Sequence, residues 1–194
     1  GDLFFFREIF NDPNDSNPID EKKHIQLAKT ASKNGAVLLV SFKELPFKAK
    51  CVICENVMEA HIALCAHLRK QFRVKTIGVT GSIGKTSTKD MVAEVIRMRY
   101  NTQKSENNTN VQVKIGMNIQ KLTSDCGVYI QEIGGGRPGG ASRHSRMVCP
   151  AITIVTNIGD AHIGNFYGDK KALMENKLGI VDGMPEDGVV SVNI

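Results

Sequence analysis

The stretch Thr80-Gly81-Ser82-Ile83-Gly84-Lys85-Thr86 limits what this chain can fold into more than any other. It is a glycine-paced turn between an apolar run, Thr76-Ile77-Gly78-Val79, and a segment of helical periodicity, so it demands a strand, a tight loop and a helix in succession. Gly81 and Gly84 let backbone N–H groups converge on an anion, and the helix that follows adds the positive end of its dipole. Lys85 brings a full charge. The Thr86 hydroxyl suits the coordination shell of a magnesium ion that bridges nucleotide phosphates. The strict form of such a loop has glycine five residues before Gly84. Val79 stands there, so the match is to the shorter T-G-x-x-G-K-[ST] form.

The flanking sequence alternates helix and strand. Residues 11–19 are dense in turn formers; a helix with Ile25, Leu27, Ala28 and Ala31 on its apolar face then follows, capped near Asp20 and stopped at Asn34-Gly35. Strands are expected at Ala36–Val40 and, buried, at Cys51–Cys54, with a helix at Val57–Leu68 carrying Met58, Ile62, Cys65 and Leu68 on one side. The polar, basic run Lys70–Lys75 marks the expected domain boundary, dividing the chain into 1–74 and 75–194. Beyond it, the helix after the loop should pack Met91, Val92, Val95 and Ile96 on a sheet. Residues 111–122 read as helical with an interruption at Gly116, residues 169–182 as helical, and strands fall at 127–132, 151–156 and 189–193. The expected architecture is α/β: a small, incomplete N-terminal α/β domain, then a doubly wound, mostly parallel phosphate-loop domain. The chain starts abruptly at Gly1-Asp2-Leu3-Phe4 and stops on a strand, and is expected to be part of something longer.

With 194 residues and 41% hydrophobic content, a sizeable core is affordable. The net charge of +5 comes from scattered basic residues, which suits phosphorylated ligands and gives no nucleic-acid surface. Five irregularly spaced cysteines argue for reduced thiols and a cytoplasmic setting. Cys51 and Cys54 alternate within an apolar run with no second ligand pair, so a strand is favoured over a metal knuckle. His61 and His67, six apart, do not share a helix face. No signal peptide is expected, and no apolar run is long enough to span a bilayer.

Further polar residues fall at expected strand ends, where open parallel sheets bind ligands. One strand ends in Glu132 before Gly134-Gly135-Gly136. Another ends in Asn157, and its loop carries Asp160 and His162. An acid at such a position can hold magnesium directly or through water.

Taken in order, Gly78-Val-Thr-Gly-Ser-Ile-Gly-Lys-Thr-Ser-Thr-Lys89, Gln131-Glu132-Ile133-Gly134, Thr156-Asn157-Ile158-Gly159-Asp160-Ala161-His162 and Asn176-Lys177-Leu178-Gly179-Ile180 resemble the Mur ligases of peptidoglycan synthesis. Ala161-His162, Thr88-Lys89 and the opening Gly1-Asp2-Leu3-Phe4 point to the branch that joins D-alanyl-D-alanine to a UDP-N-acetylmuramoyl peptide. The resemblance implies an ATP-dependent amide ligase acting through an acyl phosphate, with residues 1–74 a partial UDP-substrate-binding domain, 75–194 the start of the ATP-binding domain, and the amine-binding C-terminal domain outside these residues. It implies ATP contacts from Thr80, Gly81, Ser82, Ile83, Gly84, Lys85, Thr86, Ser87 and Asn157. It assigns one magnesium to Thr86 and Glu132 and a second to Glu132, His162 and Lys177, with Lys85, Lys177 and His162 as the catalytic residues. Lys177 would be carbamylated, since an ammonium cannot ligate a cation. Asn107 and Asn108 match a T-x-x-N-x-N-N segment that approaches the sugar-linked substrate, with Ser105 in place of its first asparagine.

Other departures bear on the substrate. The lysine motif usually reads K-G-E-I and here reads Lys177-Leu-Gly-Ile, and an acid is lost again in Gly134-Gly-Gly-Arg137-Pro138-Gly-Gly-Ala141. Arg137, Arg143, His144 and Arg146 form either a contact to acidic substrate groups or a solvated basic loop. A sister amide ligase of folylpolyglutamate, cyanophycin or other Mur type remains an alternative, as does a Mur-like protein that binds nucleotide without ligating it.

Overall fold

The computed structural model describes residues 2–5 and 21–193. The expected turn segment 11–19 and the cap at Asp20 lie outside the described residues. Two compact units are present, Gly1–His61 and Ile62–Ile194.

In the first unit, β1 (Asp2–Phe5), β2 (Ala36–Ser41) and β3 (Cys51–Ile53) form a parallel sheet in the order β1-β2-β3, with α1 (Glu21–Lys33) between the first two strands. Ala28 of α1 and Leu39 of β2 are buried and gather Phe42, Leu45, Phe47 and Cys51 around them. Helix α1 ends as its sequence demands, with Gly35 at φ +95°, a left-handed value natural to glycine. Strand β3 departs from expectation. Val52 and Ile53 are about half exposed, so the apolar run is not a buried strand. Helix α2 (Val57–Gln71) spans the division between the units, three residues longer than expected, and buries Val57, Ile62 and Cys65.

The second unit is built on a parallel sheet in the order β5-β6-β4-β7-β8, from β4 (Lys75–Thr80), β5 (Thr102–Lys104), β6 (Val128–Glu132), β7 (Ile152–Val155) and β8 (Val189–Val192). The central β4 is buried along Thr76–Thr80 and is flanked by β6 and β7. Alternation along β4 sends Ile77 and Val79 to the face where Ala93, Val92 and Ile96 of α3 (Lys85–Arg97) meet Val128 and Ile130. Val92 and Ile96 pack on the sheet as expected, but Ala93 joins them and Lys89 is buried, so the packed face of α3 is turned by about one residue from the expected one. Met91 and Val95 are 70% and 68% exposed, so they do not reach the sheet. Ala93 sits where the helix must approach the strands closely, and a small residue is what that approach requires.

Helix α4 (Gln112–Gln120) runs through Gly116 without the expected interruption. Gly116 is buried between Ile115 and Asn118, and packing there outweighs glycine's low helix propensity. Arg143, His144 and Arg146 lie on α5 (Gly140–Val148) and not in a loop, because Gly139 at φ +67° turns the chain into a helix that buries Ala141, Met147 and Val148. The expected helix at 169–182 divides into α6 (Lys170–Leu178), capped by Asp169, and a 3-10 turn at Gly179–Gly183. A further 3-10 turn covers Ile163–Phe166. No helix among the described residues is long and apolar enough to cross a membrane.

The shifted face of α3 gives a test. Ile130→Ala empties a fully buried position under that helix and is expected to cost about 2–5 kcal/mol. Met91→Ala should stay within about 0.5 kcal/mol of the parent. Urea denaturation of both variants decides between the faces, since a Met91 packed on the sheet would give the two comparable losses.

Candidate functional site

The carboxyl ends of β4, β6 and β7 come together because the register pairs Val79 with Glu132 and Thr80 with Val155. The loop Gly81–Gly84 leaves β4 between the other two strand ends. It is held from both sides. Thr80 Oγ1 donates to Ile133 O at 2.9 Å, past the end of β6. On the β7 side, Thr156 Oγ1 donates to Ile83 O at 2.6 Å. Asn157 grips the same residue twice, its Nδ2 donating to Ile83 O at 2.9 Å and its Oδ1 accepting from Ile83 N at 3.1 Å. Ser82 N donates to Asn157 O, and Ser82 Oγ is bound to the Gly159 backbone.

Gly81 is at φ +143°, and a Cβ there would fall 2.1 Å from Thr156 Oγ1. Gly84, at φ +81°, is the N-cap of α3, has no side-chain cap, and its Cβ direction opens onto free space. The first-turn N–H groups of α3 have no intrahelical acceptors and no side chain caps them. Lys85 and Thr86 are half-buried on that turn and Ser87 is exposed. Lys85 Nζ is folded onto the loop, donating to Gly81 O at 2.9 Å and Ser82 O at 3.2 Å.

Lys177, from the last turn of α6, reaches the same carbonyl, with Nζ 3.4 Å from Gly81 O. It is 1% exposed. Burial, and then the neighbouring charge of Lys85, push its pKa below the ordinary lysine value. Two cationic amines thus meet at one carbonyl oxygen, an arrangement that favours an anion beside them or a neutral Lys177.

Glu132, also 1% exposed, accepts from Thr86 Oγ1 at 2.6 Å on one oxygen and from Asn110 Nδ2 at 2.7 Å on the other. These are hard oxygen donors, the kind magnesium takes. His162 is exposed at φ +69° with its ring against Gly136. Among the described residues no three His, Cys, Asp or Glu gather as a metal cluster, so any ion here would draw on Thr86 or Lys177 as well. The residues present fit a nucleotide with magnesium at the Thr86–Glu132 pair.

Asn107 and Asn108 are exposed on the loop after β5, with Asn107 at φ +44°. Lys89 Nζ anchors this loop by donating to Ser105 O and Asn107 O, both at 2.7 Å, from a position 1% exposed. Ser105 Oγ accepts from Glu132 N at 3.1 Å. Asn110 and the bracing roles of Lys89 and Ser105 escape a reading of the sequence, because their partners lie on other elements; the motif positions of Lys89 and Ser105 were the only traces. Asn176 Nδ2 ties α6 to Gly135 O at 2.7 Å.

His144 is bound to the same glycine-rich turn. Its Nδ1 lies 2.8 Å from Gly134 O, and since a carbonyl only accepts, Nδ1 carries the proton. Burial pushes this imidazole down to about 4. A histidine kept neutral in the fold contributes stability above its unfolded pKa of about 6.5 and loses it as pH falls toward 4. The expected loss over that window is about 3 kcal/mol. Denaturant midpoints measured from pH 7 to 4 should show it, and His144→Gln should flatten that part of the curve.

Residues 79–194 match the Mur ligase middle domain. The UDP-N-acetylmuramoyl-tripeptide--D-alanyl-D-alanine ligase of Bacillus subtilis (strain 168) is 30% identical over 139 residues, which are 72% of this chain and 30% of that protein. The ligase of the same name from Escherichia coli (strain K12) is 28% identical over 166 residues, 86% of this chain and 36% of the other. Among solved structures, MurF from Acinetobacter baumannii superposes with a TM-score of 0.82 at 23% identity, over 99% of this chain and 40% of that one. MurF ligase from Thermotoga maritima in complex with ADP gives 0.81 at 21%, over 99% and 42%. The chain spans about a third of the length of the relatives it matches. The match over residues 79–194 makes this chain a member of the Mur ligase family.

Proposed function

We propose that the chain is the nucleotide-binding part of an ATP-dependent carbon–nitrogen ligase that joins D-alanyl-D-alanine to a UDP-linked muramoyl peptide. The observation that carries this reading is the meeting of Lys85 and Lys177 at Gly81 O beside the Thr86–Glu132 pair. When bound, ATP supplies the phosphoryl group and magnesium neutralises its charge. Lys85 and the uncapped N-terminus of α3 bind the phosphates, while Thr80, Gly81, Ser82, Ile83, Gly84 and Ser87 shape the cradle and Asn157 holds its tip. Thr86 and Glu132 would offer oxygens to one ion, and a second would be held by a Glu132 oxygen, a His162 ring nitrogen and Lys177 once modified.

For Lys177 the role requires chemistry beyond an ammonium, which would repel the ion. A carbamate offers oxygens, and its formation needs the neutral amine that burial and Lys85 favour. Asn107 and Asn108 face the sugar-linked substrate. Residues 1–74 belong to the UDP-substrate domain and 75–194 to the ATP domain, in a cytoplasmic protein whose amine site lies on a further domain. On this reading these 194 residues bind nucleotide without completing ligation.

Lys85→Ala should weaken magnesium-ATP binding by roughly ten- to a hundredfold, the scale of one charge-assisted hydrogen bond. Thr86→Ala should chiefly blunt the magnesium dependence. Calorimetric titration reads both, and unchanged ATP affinity in Lys85→Ala would remove the site. Mass spectrometry under bicarbonate tests the carbamate on Lys177. In the full-length ligase, Lys177→Ala should abolish ligation and short carboxylic acids should restore part of it; full activity with an unmodified Lys177 would rule the carbamate out.

A further inference from the structure

The opposite end of β4 holds a cavity of about 560 Å³. It lies roughly 16 Å along the strand from the phosphate loop, five residues at about 3.3 Å each. Four cations line it, Arg69, Lys70, Arg73 and Lys75, with no acidic side chain among the lining residues. The chain's overall excess of charge is only +5, so this grouping is local.

Surface lysines and arginines alone would be a solvated rim. What distinguishes this cavity is a pair of buried donors on the residues that line it. Thr76 is 1% exposed, and among the described residues its Oγ1 is buried with no hydrogen-bond partner. Alternation along β4 places it with Gly78 on the face turned away from α3. The Arg69 guanidinium crosses the cavity floor, with Nη1 donating to Val74 O at 3.0 Å and Nη2 to Cys149 O at 3.2 Å, and its Nε is likewise buried without a partner. Native structures rarely keep such groups unsatisfied. A water could serve one hydroxyl, yet it would make no use of the four cations grouped around it. An oxyanion answers both needs, accepting from Arg69 Nε and Thr76 Oγ1 while Lys70, Arg73 and Lys75 balance its charge.

We propose that this cavity binds a phosphate group, as the free ion or as the monoester of a small soluble molecule, independently of the nucleotide loop. Gly183 and Met184, at the end of the turn that leaves α6, form its other wall. Bound phosphate therefore bridges the C-terminal end of α2, the start of β4 and the segment that follows Lys177.

Amide-resolved NMR of the labelled chain, titrated with potassium phosphate at constant ionic strength, tests the site. Saturable shifts are expected at Arg73–Thr76, Ala151 and Gly183, and they should persist in Lys85→Ala, which disables only the loop. Thr76→Val and the surface double variant Arg73→Ala/Lys75→Ala should each weaken these shifts at least tenfold with little change in melting temperature. Glucose 6-phosphate in place of the free ion should shift the same amides if the ester is accepted. Absence of saturation at these residues, or shifts that survive both variants, would overturn the proposal. So would binding to phosphatidylglycerol vesicles with no response to soluble phosphate.

Discussion

Parallel pairing of β4 with β6 on one side and β7 on the other is the constraint from which the site follows. Once Val79 is opposite Glu132 and Thr80 opposite Val155, three chain segments must leave the sheet at one edge within a few ångströms of one another. The glycines then have little choice. Gly81 passes so close to Thr156 that no side chain fits, and Gly84 turns the backbone into α3 with its N–H groups uncapped. Hydrogen bonds from Thr80, Thr156 and Asn157 fix the loop before any ligand arrives. Such preorganisation lowers the ordering cost of binding.

Electrostatics at the loop are deliberately unfinished. Lys85 and Lys177 share one carbonyl, and the carboxylate of Glu132 is directed to Thr86 and Asn110 instead of to either lysine. Positive and negative groups of the site are thus kept apart, each satisfied by neutral partners. Ion pairing between them would have quenched those charges. The buried lysine bears the cost, visible in its lowered pKa.

Much of this was legible in the sequence. The loop from Thr80 to Thr86, the strand-end acid Glu132 and the Thr156-Asn157 turn all stand where residue type and order put them, since each is a local pattern attached to a strand end. The misreadings share a different cause. Met91 and Val95 carry more apolar surface than Ala93, yet Ala93 faces the sheet, because the allowed distance between helix and strands selects for size and not for hydrophobicity alone. Gly116 inside α4 and the exposed Val52 and Ile53 of β3 likewise depend on neighbours distant in sequence. The run Lys70–Lys75 read only as a polar boundary, and nothing local reveals that Thr76 beside it is sealed from water.

Lys89 has a mechanical consequence. It stands one helical turn beyond Thr86 on α3, and its ammonium is fastened to the backbone of the Asn107 loop at two carbonyls. Helix α3 and the loop that carries the paired asparagines are therefore fastened to one another across β5. Moving α3 without that loop would break two hydrogen bonds at a fully buried ammonium, so one side chain ties the helix that follows Gly84 to the paired asparagines.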